Sequence, residues 1–210
     1  MKKKDLRIVK TLSQIDRALL KWLKDSPFQK ITVDALCQTA MINRSTFYKY
    51  YIDKYDLLDQ YLERTLDEFR EHVDVEFINA TPKKINDISY NQDFSRTLAF
   101  ILSKKEIYLI LWDAAIDRKV YSEMTGVIHD SILSTMVSYT EKHSNQKKYA
   151  DLYAYLFATN MMSMVRWWFE YSESITQEEV EDIMASNMEK GMFLTFKKQV
   201  NEQKRKPADK

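Results

Sequence analysis

Glycine occurs twice and proline three times in these 210 residues. Sheets, barrels and nucleotide-binding folds depend on turns that these two residues supply, so their scarcity points to an all-α chain. With glycine only at 126 and 191, there is no loop to cradle a phosphate and no dinucleotide fingerprint. A single cysteine, Cys37, excludes an intramolecular disulfide and a cysteine zinc cluster, and fits a reducing compartment. His72, His129 and His143 lack metal-ligand spacing. No stretch approaches the roughly 20 apolar residues of a membrane span. The basic start "MKKKDLRIVK" is followed by no apolar leader segment, so a cytoplasmic chain is expected. No nucleophile-elbow pattern occurs. Asp113 and Asp117 stand four apart, on one face if the segment is helical, but a solvated face accounts for them as well as a carboxylate pair does. The expectation is no enzyme, no catalytic residue, no metal and no cofactor. A helical enzyme or a plain ligand-binding protein stays open, because catalytic groups can assemble from distant positions.

Apolar residues make up 45% and charged residues 30%, enough to build a core. The net charge is only +1, but it is unevenly spread. Residues 1–60 carry 12 Lys and Arg against 7 Asp and Glu, a net of +5; residues 61–210 carry 20 against 24, a net of −4. A basic first quarter on an acidic remainder suggests two tasks in one chain.

Ile8, Leu12, Ile15, Leu19 and Leu23 recur at helical steps, predicting a helix over about 5–24. Pro27 in "DSP" ends it by disfavouring the α conformation at Ser26. Thr32 is a candidate N-cap for a short helix burying Val33, Leu36, Cys37 and Ala40. Asn43 is a second N-cap, opening about seven helical residues, and Asp53 a third, opening a long helix with Leu57, Leu58, Tyr61, Leu62, Leu66 and Phe69 on its apolar face. The polar stretch "NATPKKINDISYNQD" (79–93) reads as a linker. Helices are expected beyond it at about 94–103, 105–115, 120–143, 147–172 and 176–198, making about nine in total. The last residues, "NEQKRKPADK", read as a frayed tail.

Two short helices joined by "MIN" (Met41–Asn43) form a helix-turn-helix, whose second helix enters the DNA major groove. Phe47 and Tyr51, four apart, point inward. Ser45 and Lys49 then lie nearly opposite, flanked by Thr46 and Tyr48, with Arg44 at the amino-terminal end. Arg and Lys donate to guanine acceptors; Ser, Thr and Tyr reach phosphates or base edges. Thr32 and Lys54 stand at the starts of the flanking helices, where phosphate is attracted by unpaired N–H groups. A small three-helix core with a merely solvated charged face would use the same residue types. The alignment of caps, core and basic face favours the DNA-binding reading.

The stretch "ITVDALCQTAMINRSTFYKYYIDKYDLL" (31–58) resembles the DNA-binding domain of the TetR (AcrR) family of bacterial transcriptional regulators. The matching features are the leading "F..ITV..L", the alanine before the turn, the "S/N-x-x-T-[FL]-Y-x-[HY]-[FY]" helix and the following "K-x-x-L"; the match covers about residues 5–65. The resemblance implies a homodimer on a palindromic double-stranded DNA operator, with a recognition helix over about Asn43–Tyr51. It implies that Tyr48, Lys54 and Thr32 contact phosphate and that Arg44, Ser45, Thr46 and Lys49 face the groove. Met41 departs from the family, in which glycine is frequent there; if the turn needs positive φ, methionine carries modest strain. Tyr50 stands where histidine is frequent.

The expected organisation is a helix-turn-helix DNA-binding domain over 1–55, a larger helical regulatory and dimerisation domain over 56–198, and a flexible tail over 199–210. "YADLYAYLFATNMMSMVRWWFEY" (149–171) is apolar around much of its circumference, so it is expected to bury one side in its own domain and another in a partner subunit. With "EEVEDIMASNMEKGMFLTF" (178–196) it would form a four-helix dimer interface, although a thick monomeric core would use the same pattern. Trp112, Met164 and Trp167 are candidates to line a pocket for a small apolar or amphipathic effector, although such residues more often fill a core. The leading reading is a repressor released from its operator by that effector. The alternative is a regulator, such as an activator, with the same DNA head and a carboxy-terminal domain that answers to a protein partner.

Overall fold

Apolar residues at steps of three and four start the chain as a helix, α1 (Leu6–Asp25), which buries Ile15, Ala18, Leu19 and Leu23. Ile8 and Leu12, nearer its start, are half-buried. The computed structural model describes residues 6–73, 88–140, 147–187 and 191. Among them the chain forms nine α-helices: after α1 come α2 (Val33–Ala40), α3 (Arg44–Phe47), α4 (Lys54–His72), α5 (Ile88–Ser103), α6 (Lys105–Asp113), α7 (Val120–Thr140), α8 (Lys147–Tyr171) and α9 (Gln177–Asn187). A short 3-10 turn, Phe28–Lys30, links α1 to α2. None of the described helices is long and apolar enough to cross a membrane.

The chain divides into two compact units. One comprises Met1–Glu68 with Lys104–Glu123; the other comprises Phe69–Ser103 with Met124–Lys210. In the first, Leu36, Cys37 and Ala40 of α2, Phe47 of α3 and Leu57 and Leu62 of α4 are buried with the inner face of α1. Full burial of a ring such as Phe47 contributes roughly 2–3 kcal/mol. Polar ties fix the elements. Trp22 Nε1–H donates to Thr39 Oγ1 at 2.9 Å, joining α1 to α2. Arg64 pairs with Asp16 at 2.8 Å, and Lys104 with Glu68 at 2.6 Å. Arg118 pairs with Glu63 at 2.9 Å and also with Glu123.

In the second unit, α7 buries Met124, Ile128, Ile132 and Met136, every fourth residue. Helix α8 buries Tyr153, Ala154, Phe157, Ala158, Met161, Val165 and Trp168 among others. Helix α9 begins with a capping box: Thr176 N–H donates to Glu179 Oε2 at 2.8 Å, and Glu179 N–H returns to Thr176 Oγ1 at 3.2 Å. Gln177 Nε2 donates to the Ser95 carbonyl at 3.0 Å and Ser95 Oγ to Glu181 at 2.7 Å, clamping α9 on α5.

Two sequence expectations change. Residues 88–93 of the expected linker are the first turns of α5. The segment "ISYNQD" holds no proline or glycine, so nothing stops the helix anchored by Phe94, Leu98 and Ile101 from extending through it. Asp113 and Asp117 do not share a helical face, because α6 ends at Asp113 and Ala114 is extended. The rest of that linker (79–87), the tail 199–210 and most of the expected helix beyond Asn187 lie outside the described residues.

Candidate nucleic-acid interface

Three local devices present the outer face of α3. The first is the start of α2, where Thr32 is extended and its hydroxyl accepts from Ala35 N–H at 3.2 Å, as a capping threonine does. The second is the turn. Met41 is left-handed, with φ 54° and ψ 46°, and is the one non-glycine residue with positive φ among those described. Its N–H donates to the Gln38 carbonyl at 3.2 Å, and Ile42 N–H to the Cys37 carbonyl at 3.0 Å. These two bonds form a Schellman motif, which glycine ordinarily closes. The strain foreseen at Met41 is therefore present, and a left-handed residue with a Cβ costs about 1 kcal/mol. The third is the start of α4, where Asp53 Oδ1 accepts from Tyr55 and Asp56 N–H at 2.8 and 2.9 Å. Asp56 accepts from Gln60 Nε2 at 2.9 Å and from Ile52 N–H at 2.8 Å; the Gln60 bond first, and the Ile52 bond second, hold its carboxyl below its ordinary range.

Helix α3 is shorter than the sequence suggests. Its α-helical part is Arg44–Phe47. The chain then tightens into i to i+3 bonds, from Lys49 N–H to the Thr46 carbonyl at 3.3 Å and from Tyr50 N–H to the Phe47 carbonyl at 3.0 Å. Asn43 caps through its backbone only; its side chain makes no capping hydrogen bond. Phe47 and Tyr51 are buried, while Arg44, Ser45, Tyr48 and Lys49 are exposed and Thr46 is half-buried. Phe47 packs edge-on against Tyr48, with centroids 5.5 Å apart, which fixes the base of the exposed ring. Val33, expected in the core, is half-buried. Burial pushes the Tyr51 hydroxyl up from its ordinary value, with Asp16 adding to the shift.

Arg44 and Lys54 differ in how their charges are held. Arg44 Nη1 pairs with Asp34 Oδ1 at 3.1 Å, and Nη2 makes a long hydrogen bond of 3.4 Å to the Tyr48 hydroxyl. The Tyr48 bond first, and Asp34 second, raise the guanidinium above its already high range. Lys54 is half-buried, and its Nζ donates to the carbonyls of Phe28, Gln29 and Ile31 at 3.1, 2.9 and 2.8 Å. It lies between the rings of Phe28 and Tyr55, 4.9 and 5.3 Å from their centroids. The Lys54 ammonium thus ties the 3-10 turn to α4, and a phosphate would compete with those carbonyls for it.

Sequence reasoning missed Asp34 and Trp22. No periodicity links Asp34 to Arg44, ten residues on; only the turn at Met41 brings the two together. The effector candidates fall in different units. Trp112, half-buried, stacks on Tyr108 with centroids 6.0 Å apart and meets Tyr121 edge-on at 5.2 Å, all in the first unit. Met164 and Trp167 are in the second, where Met164 Sδ accepts from Asn187 Nδ2 at 3.9 Å and Trp167 is exposed beside Tyr171.

No family model and no curated protein matches the chain. Solved structures do. The dihydroxyacetone kinase operon activator DhaS is 15% identical, with a TM-score of 0.52 over 91% of this chain and 96% of its own. The TetR family repressor AlkX from Dietzia sp. strain DQ12-45-1b, implicated in biodegradation of n-alkanes, is 14% identical, with a TM-score of 0.38 over 89% of this chain and 95% of its own. The likeness to DhaS is one of fold, over nearly the whole of both chains, and the described residues of this chain are all-α.

Proposed function

We propose that this chain is a sequence-specific regulator of transcription that binds double-stranded DNA as a homodimer, with residues 1–55 as the DNA head and 56–198 as the regulatory and dimerisation part. The observation that carries the reading is the two-sided character of Arg44–Tyr51. Phe47 and Tyr51 anchor it, and Arg44, Ser45, Tyr48 and Lys49 are left outside. A cationic, hydroxyl-bearing outer face suits base edges and phosphates. Arg44 and Lys49 would read bases, with Ser45 and Thr46 beside them in the groove; Thr32 and Tyr48 would place the head on the backbone. Lys54 would act mainly by holding the 3-10 turn beneath that face. A cytoplasmic location goes with this reading.

Dimerisation is supported by α8 and α9. Leu152, Tyr155, Leu156, Trp167, Tyr171 and Ile183 are 40–60% exposed, and those on α8 recur at helical spacing. Two clusters of exposed large apolar side chains on one helix, parted by Thr159 and Ser163, are the kind of surface a protein interface covers. Two copies related by a two-fold axis match a palindromic operator. As a repressor, the dimer would leave DNA when a small apolar or amphipathic effector favours a spacing of the two heads that no longer fits successive major grooves. Met164 and Trp167, both in the second unit, remain proposed to meet it; Trp112, in the first, is the alternative. The second reading, an activator answering to a protein partner, gains support because DhaS, which shares the fold, is an operon activator. A thermal-shift screen against metabolites separates the two: a hit supports the effector reading, and silence with capture of one defined protein supports the other.

The test of DNA reading is selection of a duplex from a randomised pool by the full-length protein. Arg44→Ala and Lys49→Ala are each expected to weaken binding to the selected duplex about ten- to hundredfold, and binding to a scrambled duplex far less. Unchanged preference in both variants would remove the groove assignment.

A further inference from the structure

The Arg44–Asp34 pair lies on the outer face of the head, with both side chains about 60% exposed. Ion pairs this exposed contribute little to stability, so the fold does not need it. Its geometry is nevertheless specific. Asp34 holds one terminal nitrogen of the guanidinium, at 3.1 and 3.3 Å to its two oxygens, while the Tyr48 hydroxyl holds the other at 3.4 Å. The guanidinium carbon also lies 5.8 Å from the centre of the Tyr48 ring. A long, flexible side chain is thus gripped from two helical elements at the amino-terminal end of α3. Asp34 brings a carboxylate onto this face, and it offsets the charge of the arginine placed to read bases.

Resting on the DNA-binding reading above, we propose that Asp34 is a positioning and specificity-determining residue for Arg44. It acts in two ways. It limits the rotamers of the guanidinium, so that little freedom is lost when two parallel N–H groups meet the acceptors of a guanine. It also neutralises Arg44 toward phosphates, which attract any cation regardless of sequence. Asp34 therefore trades non-specific affinity for discrimination. Asp34 sits in the first turn of α2, where a negative charge also suits the helix dipole. A role confined to that helix would change binding to all sequences alike, so the ratio of specific to non-specific affinity is the deciding readout.

The test uses the full-length protein, a duplex that it selects from a randomised pool, a scrambled duplex of equal length, and anisotropy over a salt series. Asp34→Ala is expected to tighten binding to the scrambled duplex several-fold and to steepen its log–log salt dependence by about one for each subunit bound. The ratio of selected to scrambled affinity is expected to fall about tenfold. Asp34→Asn, which keeps an oxygen acceptor but loses the charge, should shift the salt dependence as alanine does and lose less of the ratio. In an Arg44→Ala background, Asp34→Ala should change neither quantity. Equal changes on both duplexes, or an effect that persists without Arg44, would overturn the proposal while wild-type binding stands. Failure of the wild-type protein to select or bind any duplex would remove the DNA reading and this proposal with it.

Discussion

The head and helix α8 each leave one helical face uncovered, and the two faces have opposite chemistry. On α3 and the turn after it the uncovered residues are Arg44, Ser45, Tyr48 and Lys49; on α8 the large uncovered residues are Leu152, Tyr155, Leu156, Trp167 and Tyr171, with Asp151, Thr159, Ser163 and Glu170 exposed among them. Beneath both lies the same construction, a stripe of large buried side chains at helical spacing: Phe47 and Tyr51 in one case, Tyr153, Phe157, Met161 and Trp168 in the other. Burial thus accounts for the folding of each segment, and the leftover face indicates its partner. A charged and hydroxyl-bearing face gains nothing from an apolar surface but suits an anion. An apolar face gains only by leaving water.

The largest expected effect comes from spoiling the apolar face. Leu156→Glu combined with Trp167→Glu should convert dimer to monomer by light scattering. It should also weaken binding to a selected palindromic duplex by at least about a hundredfold, because the second half-site is no longer tethered. If the dimer persists, the interface lies elsewhere.

Alkaline pH separates the regions by another route. Burial, with Asp16 nearby, pushes the Tyr61 hydroxyl up to about 12 from an ordinary 10. Burial, with Glu68 nearby, raises Tyr108 as well. Both belong to the first unit. Below pH 10 folded and unfolded chains alike keep the Tyr61 proton, so its contribution is whole. Between about pH 10 and 12 the unfolded chain ionises first, and about 3 kcal/mol is lost. Chemical denaturation monitored across that window should show Tyr61→Phe flattening the loss; an unchanged slope would mean that the hydroxyl is not held neutral.

Lys54→Ala asks whether the basic surface of the head is wholly a binding surface. Removing an ammonium that satisfies three carbonyls should cost about 2 kcal/mol in urea unfolding, with DNA affinity falling as a consequence. Weaker DNA binding at unchanged stability would return Lys54 to the role of phosphate contact. The smallest effect is expected at Met41→Gly. Relief of the left-handed strain, partly offset by the added freedom of glycine in the unfolded chain, should raise stability by about 1 kcal/mol or less. A loss of stability would mean that the exposed methionine packs on something beyond the turn.

The head was more legible in the sequence than the rest because its signals are local. Thr32 and Asp53 each announce a helix start within three residues, and the four-residue step from Phe47 to Tyr51 sets the facing of everything between them. Met41 was legible as a problem only through the resemblance, in which glycine is frequent at that position, since a methionine by itself does not announce a left-handed turn. The step from Arg44 to Asp34, the tripod at Lys54 and the bond from Trp22 to Thr39 were not legible. Each depends on chain segments brought together by the core, and composition carries no trace of that. The first turns of α5 were misread because polar residues signal exposure, and an exposed segment can be helical when no proline or glycine interrupts it. In α8, apolar residues around much of the circumference could not say which side faces outward; Leu152 and Leu156 do, and Phe157 and Met161 do not.

The central claim, that the outer face of α3 reads DNA, is tested most directly by anisotropy of the full-length protein on a duplex selected from a randomised pool, with Arg44→Ala and Lys49→Ala alongside. The account predicts wild-type affinity that falls at least about tenfold between roughly 50 and 200 mM salt, with preference over a scrambled duplex that either substitution erodes. Binding that ignores salt, or a preference untouched by both substitutions, would contradict it.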